Sequence, residues 1–314
     1  MQRTKRRELN KKGYFSRLKR DLVRNKGLYL LSLPTFVFVI IFMYVPMVGI
    51  LLAFKNYNSV LGIFGSPWIG FDNFKAFFEY YYFKEVLLNT VKVSLFSLLF
   101  GFPLPIVLAL LLNSIKGRFK KVFQIVSYIP NFLSTVVVVA MLLAFLNPTS
   151  GIVNTIIKAF GGEAKDFITD PDWFIPVFVI SGVWQSIGWS TVIYTSALSG
   201  VDTQLYDAAK IDGASKFQTM IHIDFPTILP TVIVSLILAV GGIMSVAFEK
   251  VYLLQNELNT SASEVISTYV YKMGLINFDY GFGTAVGLFN SVINFVLCLL
   301  VNFVAKKVSG YSIW

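Results

Sequence analysis

The chain has 314 residues, of which 55% are hydrophobic and 14% are charged. A soluble domain of ordinary composition has about 25% charged residues, so this composition argues against the soluble classes and favours a membrane protein. The net charge of +10 raises the question of a nucleic-acid partner, but 11 of the 27 lysines and arginines lie within residues 1–27. A basic tail beside an apolar segment indicates a cytoplasmic flank against anionic membrane lipid, with no nucleic acid involved.

Six apolar runs are each long enough to cross about 30 Å of hydrocarbon as a helix. They cover residues 28–53, 90–113, 122–146, 174–199, 227–249 and 282–305. The segments on the side of the two termini carry 19 lysines and arginines, and those on the other side carry 8. The positive-inside rule therefore places the N- and C-termini in the cytoplasm. The sequence predicts an all-α, multi-pass membrane protein with six transmembrane helices.

The longer loops lie on the opposite, external side, and the first of them contains the aromatic run FFEYYYF at residues 77–83. Tyrosine and other aromatic side chains are enriched where a membrane meets water. We therefore interpret this run as an interfacial aromatic belt in preference to a dedicated binding surface.

Sequence motifs for catalysis and metal binding are missing. There is no G-x-x-x-x-G-K-[ST] phosphate loop, so we do not expect the chain to hydrolyse ATP by itself. The one histidine, His222, lacks the histidine or cysteine partners of a zinc site, and no G-x-S-x-G motif occurs. The sequence predicts no catalytic residue, no metal site and no cofactor within this chain.

Polar residues inside the apolar runs are candidates for a substrate pathway, because a polar group in hydrocarbon is costly unless it has a partner or faces water. Flat aromatic faces beside an amide, as at Trp184, Gln185 and Trp189, suit a sugar ring. Hydrogen bonds between helices are the alternative, above all for single asparagines. Glu249 could pair with a neighbouring subunit or face the pathway, and this choice is open. The candidates are Asn131, Trp184, Gln185, Trp189, Tyr194, Glu249, Asn290 and Asn294.

A polar stretch, DAAKIDGASKFQTMIHIDFP at residues 207–226, separates the fourth and fifth apolar runs. Asp202 is a candidate cap for a short helix, and Gly213 supplies the positive φ that ends it. A second amphipathic turn follows, and Pro226 is predicted to begin the next span. Small and apolar side chains on this helix–turn–helix favour docking of another protein. The candidate docking residues are Leu205, Tyr206, Asp207, Ala208, Ala209, Asp212, Gly213, Phe217 and Pro226.

This stretch resembles the cytoplasmic signature of importer-type ABC transporter permeases: Glu-Ala-Ala, three residues, Gly, nine residues, then Ile-x-Leu-Pro. The spacing is kept here, with Asp207 in place of Glu and Phe225 in place of Leu. Further segments, including FGSPWIGFDNF, SLLFGFPLPIVLALLLN, YIPNFLSTVVV and TAVGLFNSV, are similar to the carbohydrate-importing, maltose-permease-like branch. Within that branch the chain most resembles permeases for oligosaccharides from acidic polysaccharides of the alginate or pectin type, while neutral oligosaccharides stay open.

The resemblance implies a type-1 ABC importer permease in a bacterial inner membrane. In such importers a second homologous permease completes the pathway, two ATPase subunits hold ATP and Mg, and an extracytoplasmic solute-binding protein delivers the oligosaccharide. The resemblance also implies that Asp207 to Gly213 forms the coupling helix that the ATPase contacts, and that the loops 147–173 and 250–281 dock the binding protein.

The implied organisation has four parts. They are a basic tail (1–27), a first helix with an external loop (28–85), a transmembrane domain (86–305) that contains the coupling loop 200–226, and a C-terminal tail (306–314). A secondary sugar transporter or channel without an ATPase is the alternative, but intramembrane ion-relay carboxylates and inverted repeats are not evident. A membrane-anchored enzyme is disfavoured because no nucleophile and base pair is present. The leading hypothesis is a permease subunit of an ABC importer for an oligosaccharide.

Overall fold

The computed structural model describes residues 20–115 and 117–314. Lys116 and most of the basic tail (1–27) lie outside this part of the chain. Among these described residues, five helices are long and apolar enough to cross a membrane. They are span 1 (Lys26–Phe54), span 2 (Phe83–Ser114), span 4 (Pro171–Leu198), span 5 (Lys216–Gly241) and span 6 (Tyr280–Ser309). A bent pair, Arg118–Phe132 and Thr135–Phe145, brings the number to six if it is counted as span 3. The prediction of an all-α membrane protein is confirmed.

Span 3 is not the single run predicted over 122–146, because its two helices meet at an angle of 100°. The first helix ends in a 3₁₀ turn, Ile129–Phe132, that contains Pro130. Proline lacks the amide proton that a continuing helix needs. Leu133 is extended, and Ser134 then caps the second helix by accepting a 3.3 Å hydrogen bond from Val137 N. A proline followed by a capping serine therefore breaks the span.

Span 5 differs from the prediction at both ends. It begins at Lys216 and passes through a π turn, Met220–Asp224, before Pro226, so the prediction that Pro226 starts the span is wrong. Pro226 has no amide proton to donate to the preceding helical turn. The π turn just before it lets the helix continue past this residue. A capping box starts the span, since Ser215 Oγ accepts from Gln218 N and Gln218 Oε1 accepts from Ser215 N. The span ends at Gly241, eight residues before the predicted end.

Short helices fill the external side and connect the spans. They are Gly62–Gly65, Asp72–Glu79, Ile152–Ala159, Phe248–Leu254, Thr260–Ser263 and Ile266–Val270, the last of which continues into a π turn at Tyr271–Ile276. The aromatic run at 77–83 is divided between core and surface. Phe77 is 1% exposed and packs edge-on against Phe282 and Phe289, whereas Tyr81 is 87% exposed. Only part of this run is therefore available for an interfacial belt.

The bundle is held together by packing of span 4 against spans 2 and 5, and of span 6 against spans 1 and 5. Span 4 comes very close to the first helix of span 3 at Gly188, where an added Cβ would lie 2.0 Å from the carbonyl oxygen of Ser127. A glycine allows this close approach of two backbones. Spans 2, 4 and 5 do not close completely, and a large cavity remains between them.

Candidate transport pathway and coupling interface

A cavity of about 820 Å³ lies between spans 2, 4 and 5. This volume falls within the range of about 300–1,000 Å³ that is usual for small-molecule sites. Its lining is rich in hydroxyl groups from three spans and from the segment after span 5. The serines are Ser94, Ser97, Ser186, Ser190, Ser235 and Ser245. Such a lining can exchange hydrogen bonds with the hydroxyl groups of a sugar.

The end of span 5 shapes one wall of the cavity. After Gly241 the chain is non-helical until the short helix Phe248–Leu254 begins. Asn294 on span 6 holds this break in place, because its Oδ1 accepts from Met244 N at 2.9 Å and its Nδ2 donates to Ser245 Oγ at 3.0 Å. Asn294, which is a pathway candidate by sequence, is 8% exposed and is occupied by these two bonds.

Because of this break, Lys250 lies in the wall of the cavity. The sequence alone does not distinguish Lys250 from the other external lysines. Lys250 is 5% exposed, and its Nζ donates a 2.9 Å hydrogen bond to the carbonyl oxygen of Phe178. The same Nζ lies 4.8 Å from the centroid of the Phe178 ring. Within residues 20–115 and 117–314, no carboxylate oxygen lies within 4.0 Å of this amine. The cavity therefore contains a buried cation without an acidic partner from the described chain.

Three of the predicted pathway residues line this cavity, namely Gln185, Tyr194 and Glu249. Gln185 Nε2 donates a 3.0 Å hydrogen bond to Leu133 O, at the break in span 3. Tyr194 is 3% exposed, whereas Glu249 is exposed. The structure thus brings an amide, a phenol and a carboxylate to the lining of one cavity.

Four other predicted residues lie elsewhere. Trp184 lines a separate apolar pocket of about 310 Å³, and Asn290 lines a third pocket of about 580 Å³. Trp189 packs edge-on against Phe132 with ring centroids 6.2 Å apart, and Asn131 belongs to the same 3₁₀ turn as Phe132. Trp184, Gln185 and Trp189 therefore do not form one sugar-binding wall within this chain.

The predicted helix–turn–helix of the coupling loop is confirmed. Asp202 Oδ1 accepts a 2.9 Å hydrogen bond from Gln204 N and caps the helix Thr203–Ile211. Gly213 has a φ of +74°, which ends the helix. We call Thr203–Ile211 the coupling helix, because it overlaps the segment Asp207 to Gly213 for which the family resemblance implies contact with the ATPase.

Most of the predicted docking residues are accessible. The exposed members are Leu205, Asp207, Ala208, Asp212, Gly213, Phe217 and Pro226, and Ala209 is half-buried. Ile211, which the sequence places in the helix but not among the docking residues, is 87% exposed. A large apolar side chain this exposed next to small residues adds to the surface that a partner protein can cover.

Tyr206 faces the opposite way, towards the membrane spans. Its hydroxyl donates a 2.5 Å hydrogen bond to Asp224 Oδ1, and Asn113 Nδ2 donates to both partners at 3.2 Å. Burial, and next the hydrogen bond to the Asp224 carboxylate, raise the pKa of Tyr206 to about 12, so the hydroxyl keeps its proton. We call Tyr206, Asp224 and Asn113 the Tyr206 cluster. It joins the coupling helix to the ends of spans 2 and 5.

Residues 101–310, two thirds of the chain, match the model of one protein family, the binding-protein-dependent transport system inner membrane component. The chain belongs to this family. It is therefore a non-catalytic, multi-pass permease component of an ABC transporter in the inner membrane. The match contains the coupling loop, most of the cavity lining and the Tyr206 cluster.

Two relatives from Bacillus subtilis (strain 168) match nearly the whole chain. The chain is 43% identical to Protein LplB over 91% of this chain and 90% of the relative. It is 41% identical to the polygalacturonan/rhamnogalacturonan transport system permease protein YteP, over 97% and 95% of the two chains.

Two solved structures share the fold. One is a crystal structure of a bacterial ABC transporter involved in import of the acidic polysaccharide alginate. The similarity has a TM-score of 0.86 and 37% identity, over 93% of this chain and 99% of that chain. The other shows a bacterial alginate ABC transporter with an alginate pentasaccharide-bound periplasmic protein, with a TM-score of 0.86 and 36% identity over 95% and 100% of the chains.

Proposed function

We propose that this permease imports an oligosaccharide derived from an acidic polysaccharide of the pectin or alginate type. The observation that carries the proposal is the similarity, with a TM-score of 0.86 over 93% of this chain, to a chain of an alginate importer. The similarity to YteP, a permease protein of a polygalacturonan/rhamnogalacturonan transport system, supports the same class of polymer. The hydroxyl-rich cavity of about 820 Å³ is suited to part of such a chain.

The proposal includes three kinds of partner that the family resemblance implies. A second homologous permease completes the pathway and covers exposed faces such as that of span 1, whose most apolar part is only 6% buried within this chain. Two ATPase subunits hold ATP and Mg on the cytoplasmic side. A solute-binding protein delivers the oligosaccharide on the other side, and the loops 147–173 and 250–281 are proposed to dock it. One of the two similar alginate transporters was solved together with a periplasmic protein that holds an alginate pentasaccharide, which supports this last partner.

ATP-driven closure of the ATPase pair supplies the force in the proposed mechanism. The coupling helix receives this movement, and the Tyr206 cluster passes it to spans 2 and 5, which line the cavity. The cavity then opens alternately to the two sides of the membrane, a rigid-body change between two states. Gln185, Tyr194 and Glu249 are proposed to line the path of the sugar. The roles of Asn131, Trp184, Trp189, Asn290 and Asn294 in the pathway stay predictions.

The coupling assignment is tested by replacing a small exposed residue of the coupling helix with a large one. We expect Ala208→Trp to prevent stable binding of the ATPase, because the indole would occupy the space that the partner's backbone needs. The matched control is Ala76→Trp, an exposed alanine in the external helix Asp72–Glu79. Co-purification of the ATPase with the permease pair is the measurement. ATPase binding that is unaffected by Ala208→Trp contradicts the assignment.

The substrate class is tested with the complete transporter in proteoliposomes. We expect ATP-dependent uptake of oligogalacturonate or alginate oligosaccharides, and little uptake of neutral maltooligosaccharides. Uptake of the neutral sugars alone would overturn the acidic part of the proposal. Uptake that continues without the ATPase would instead support a secondary transporter or channel.

A further inference from the structure

We propose that Lys250 is the carboxylate-binding residue of the cavity and that it makes the transporter select acidic over neutral oligosaccharides. This inference rests on the proposed function and names one side chain that carries its substrate preference. Lys250 is 5% exposed and belongs to the cavity wall.

A buried ammonium group is costly unless its hydrogen bonds and its charge are both compensated. The carbonyl oxygen of Phe178 takes one of the three N–H donors of Lys250, and the Phe178 ring lies beside the charge. These contacts leave donors of Lys250 without a described partner, and no carboxylate of the described chain neutralises the charge. A uronate carboxylate entering the cavity supplies both the acceptor and the opposite charge.

The surroundings of the amine also fit a uronate. Ser94, 6% exposed, has a buried Oγ with no hydrogen-bond partner in the described residues, and it lines the same cavity. A uronic acid unit offers one carboxylate and several hydroxyl groups, which matches one ammonium group among several serines. Gly182 leaves room for the amine, because a Cβ at this position would lie 3.3 Å from Lys250 Nζ.

Selectivity follows from the cost of leaving the charge unpaired. A neutral sugar in the same place cannot compensate the ammonium group, whereas an acidic sugar can. Among the described residues that line the cavity, Glu249 is the acidic one, and its carboxylate repels an anion. Because Glu249 is exposed and Lys250 is buried, the field of the amine is screened less by solvent and dominates inside the cavity.

The test compares two forms of the same oligogalacturonate in the reconstituted transporter: the native acid, and a form in which the carboxyl groups have been reduced to alcohols. Each form is loaded inside the binding protein or, if the protein rejects it, supplied directly at high concentration. We expect Lys250→Met to lower uptake of the acidic form by about 10- to 100-fold, the range of one hydrogen bond to a charged group. Uptake of the reduced form should not fall, and Lys250→Arg should restore part of the acidic uptake.

Three further variants complete the test. Lys84→Met removes an exposed external lysine and serves as the matched control, with no change in preference. Glu249→Gln removes the opposing negative charge from the lining, so it should raise uptake of the acidic form relative to that of the reduced form. Gly182→Ala keeps the charge but crowds the amine, so it should reduce uptake of the acidic form more than that of the reduced form. This variant keeps the test decisive if Lys250→Met fails to assemble.

The outcomes separate this inference from the proposed function. If the unmodified transporter imports the acidic form and Lys250→Met does so equally well, Lys250 is not the carboxylate receptor although the proposed function stands. Equal losses of both forms in Lys250→Met and in Gly182→Ala show that Lys250 has only a structural role. If the unmodified transporter imports no acidic sugar, the proposed function itself fails.

Discussion

The hydroxyl of Tyr206 donates a 2.5 Å hydrogen bond to the carboxylate of Asp224, which is 3% exposed. Tyr206 belongs to the coupling helix, and Asp224 lies in the π turn of span 5. Asn113, in the last turn of span 2, bonds both groups. One short hydrogen-bond cluster therefore connects the surface proposed to receive force with two of the helices that line the cavity.

Loss of this hydrogen bond should weaken the connection between ATP hydrolysis and transport. In Tyr206→Phe the buried carboxylate of Asp224 keeps only the bond from Asn113, and losing a hydrogen bond to a charged group costs about 1.5–3 kcal/mol. We expect ATPase binding to continue but fewer sugar molecules to be imported per ATP hydrolysed. The measurement is the ratio of uptake to ATP hydrolysis in proteoliposomes.

The matched control is Tyr311→Phe, which removes the hydroxyl of an exposed tyrosine in the C-terminal tail. This variant should keep the ratio of the unmodified transporter. A Tyr206→Phe transporter with an unchanged ratio shows that the cluster does not transmit force.

The titration of Tyr206 provides a second prediction. Its pKa is raised to about 12 from the usual 10.0, by burial first and then by the hydrogen bond to Asp224. The folded state therefore favours the protonated phenol. Its contribution to stability is complete below pH 10.0 and is lost as the pH rises towards about 12. The ultraviolet absorbance of tyrosinate, measured as the difference between unmodified protein and Tyr206→Phe, should rise near pH 12. A rise near pH 10 contradicts the buried hydrogen bond.

A third prediction concerns the contact between span 4 and the first helix of span 3. A methyl group at position 188 would lie 2.0 Å from the carbonyl oxygen of Ser127, so Gly188→Ala forces two backbones apart. Overpacking of this kind costs about 1–3 kcal/mol. We expect a lower thermal unfolding midpoint of the purified complex. Gly49→Ala, in span 1 where an added Cβ meets no atom within 4 Å, should leave the midpoint unchanged.

Two asparagines one turn apart on span 6 should differ in their effect on stability. Asn294→Leu leaves Met244 N without its buried acceptor and releases the break after span 5, at a cost of about 1–3 kcal/mol. Asn290 Oδ1 is buried and has no partner in the described residues, so Asn290→Leu should cost less. Thermal unfolding of the complex measures both variants. An equal loss of stability for the two variants contradicts the role of Asn294 in holding the break after span 5 in place.

The coupling loop could be predicted well because its signals are local. Asp202 and Gly213 specify a helix start and a helix end within a few residues, without help from the rest of the chain. The positions of the spans followed from hydropathy for the same reason. The exposure of Ile211 was not predicted, because the sequence shows that it lies in a helix but not whether another part of the chain covers it.

The cavity wall could not be predicted, because it depends on contacts between distant residues. The apolar run continues to residue 249, yet the helix ends at Gly241. Beyond this end, Asn294 supplies an acceptor to Met244 N from fifty residues further along the chain. Helical spacing correctly indicates that Gln185 and Trp189 share one face. That face meets the break in span 3, which hydropathy does not reveal. Lys250 therefore looked like one more external lysine.

The continuity of span 5 also bears on transporter engineering. Its 26 residues run from Lys216 to Gly241 without a gap, a rod of roughly 39 Å. One end adjoins the turn at Gly213, which follows the coupling helix, and the other leads directly into the cavity wall. The coupling loop 200–226 includes the first part of span 5. A chimera that exchanges only this loop therefore has a span 5 whose two parts come from different permeases. We therefore expect the whole segment from the coupling helix through Lys250 to be the smallest module that can be moved between permeases while the proposed ATPase contact and the proposed carboxylate site stay joined.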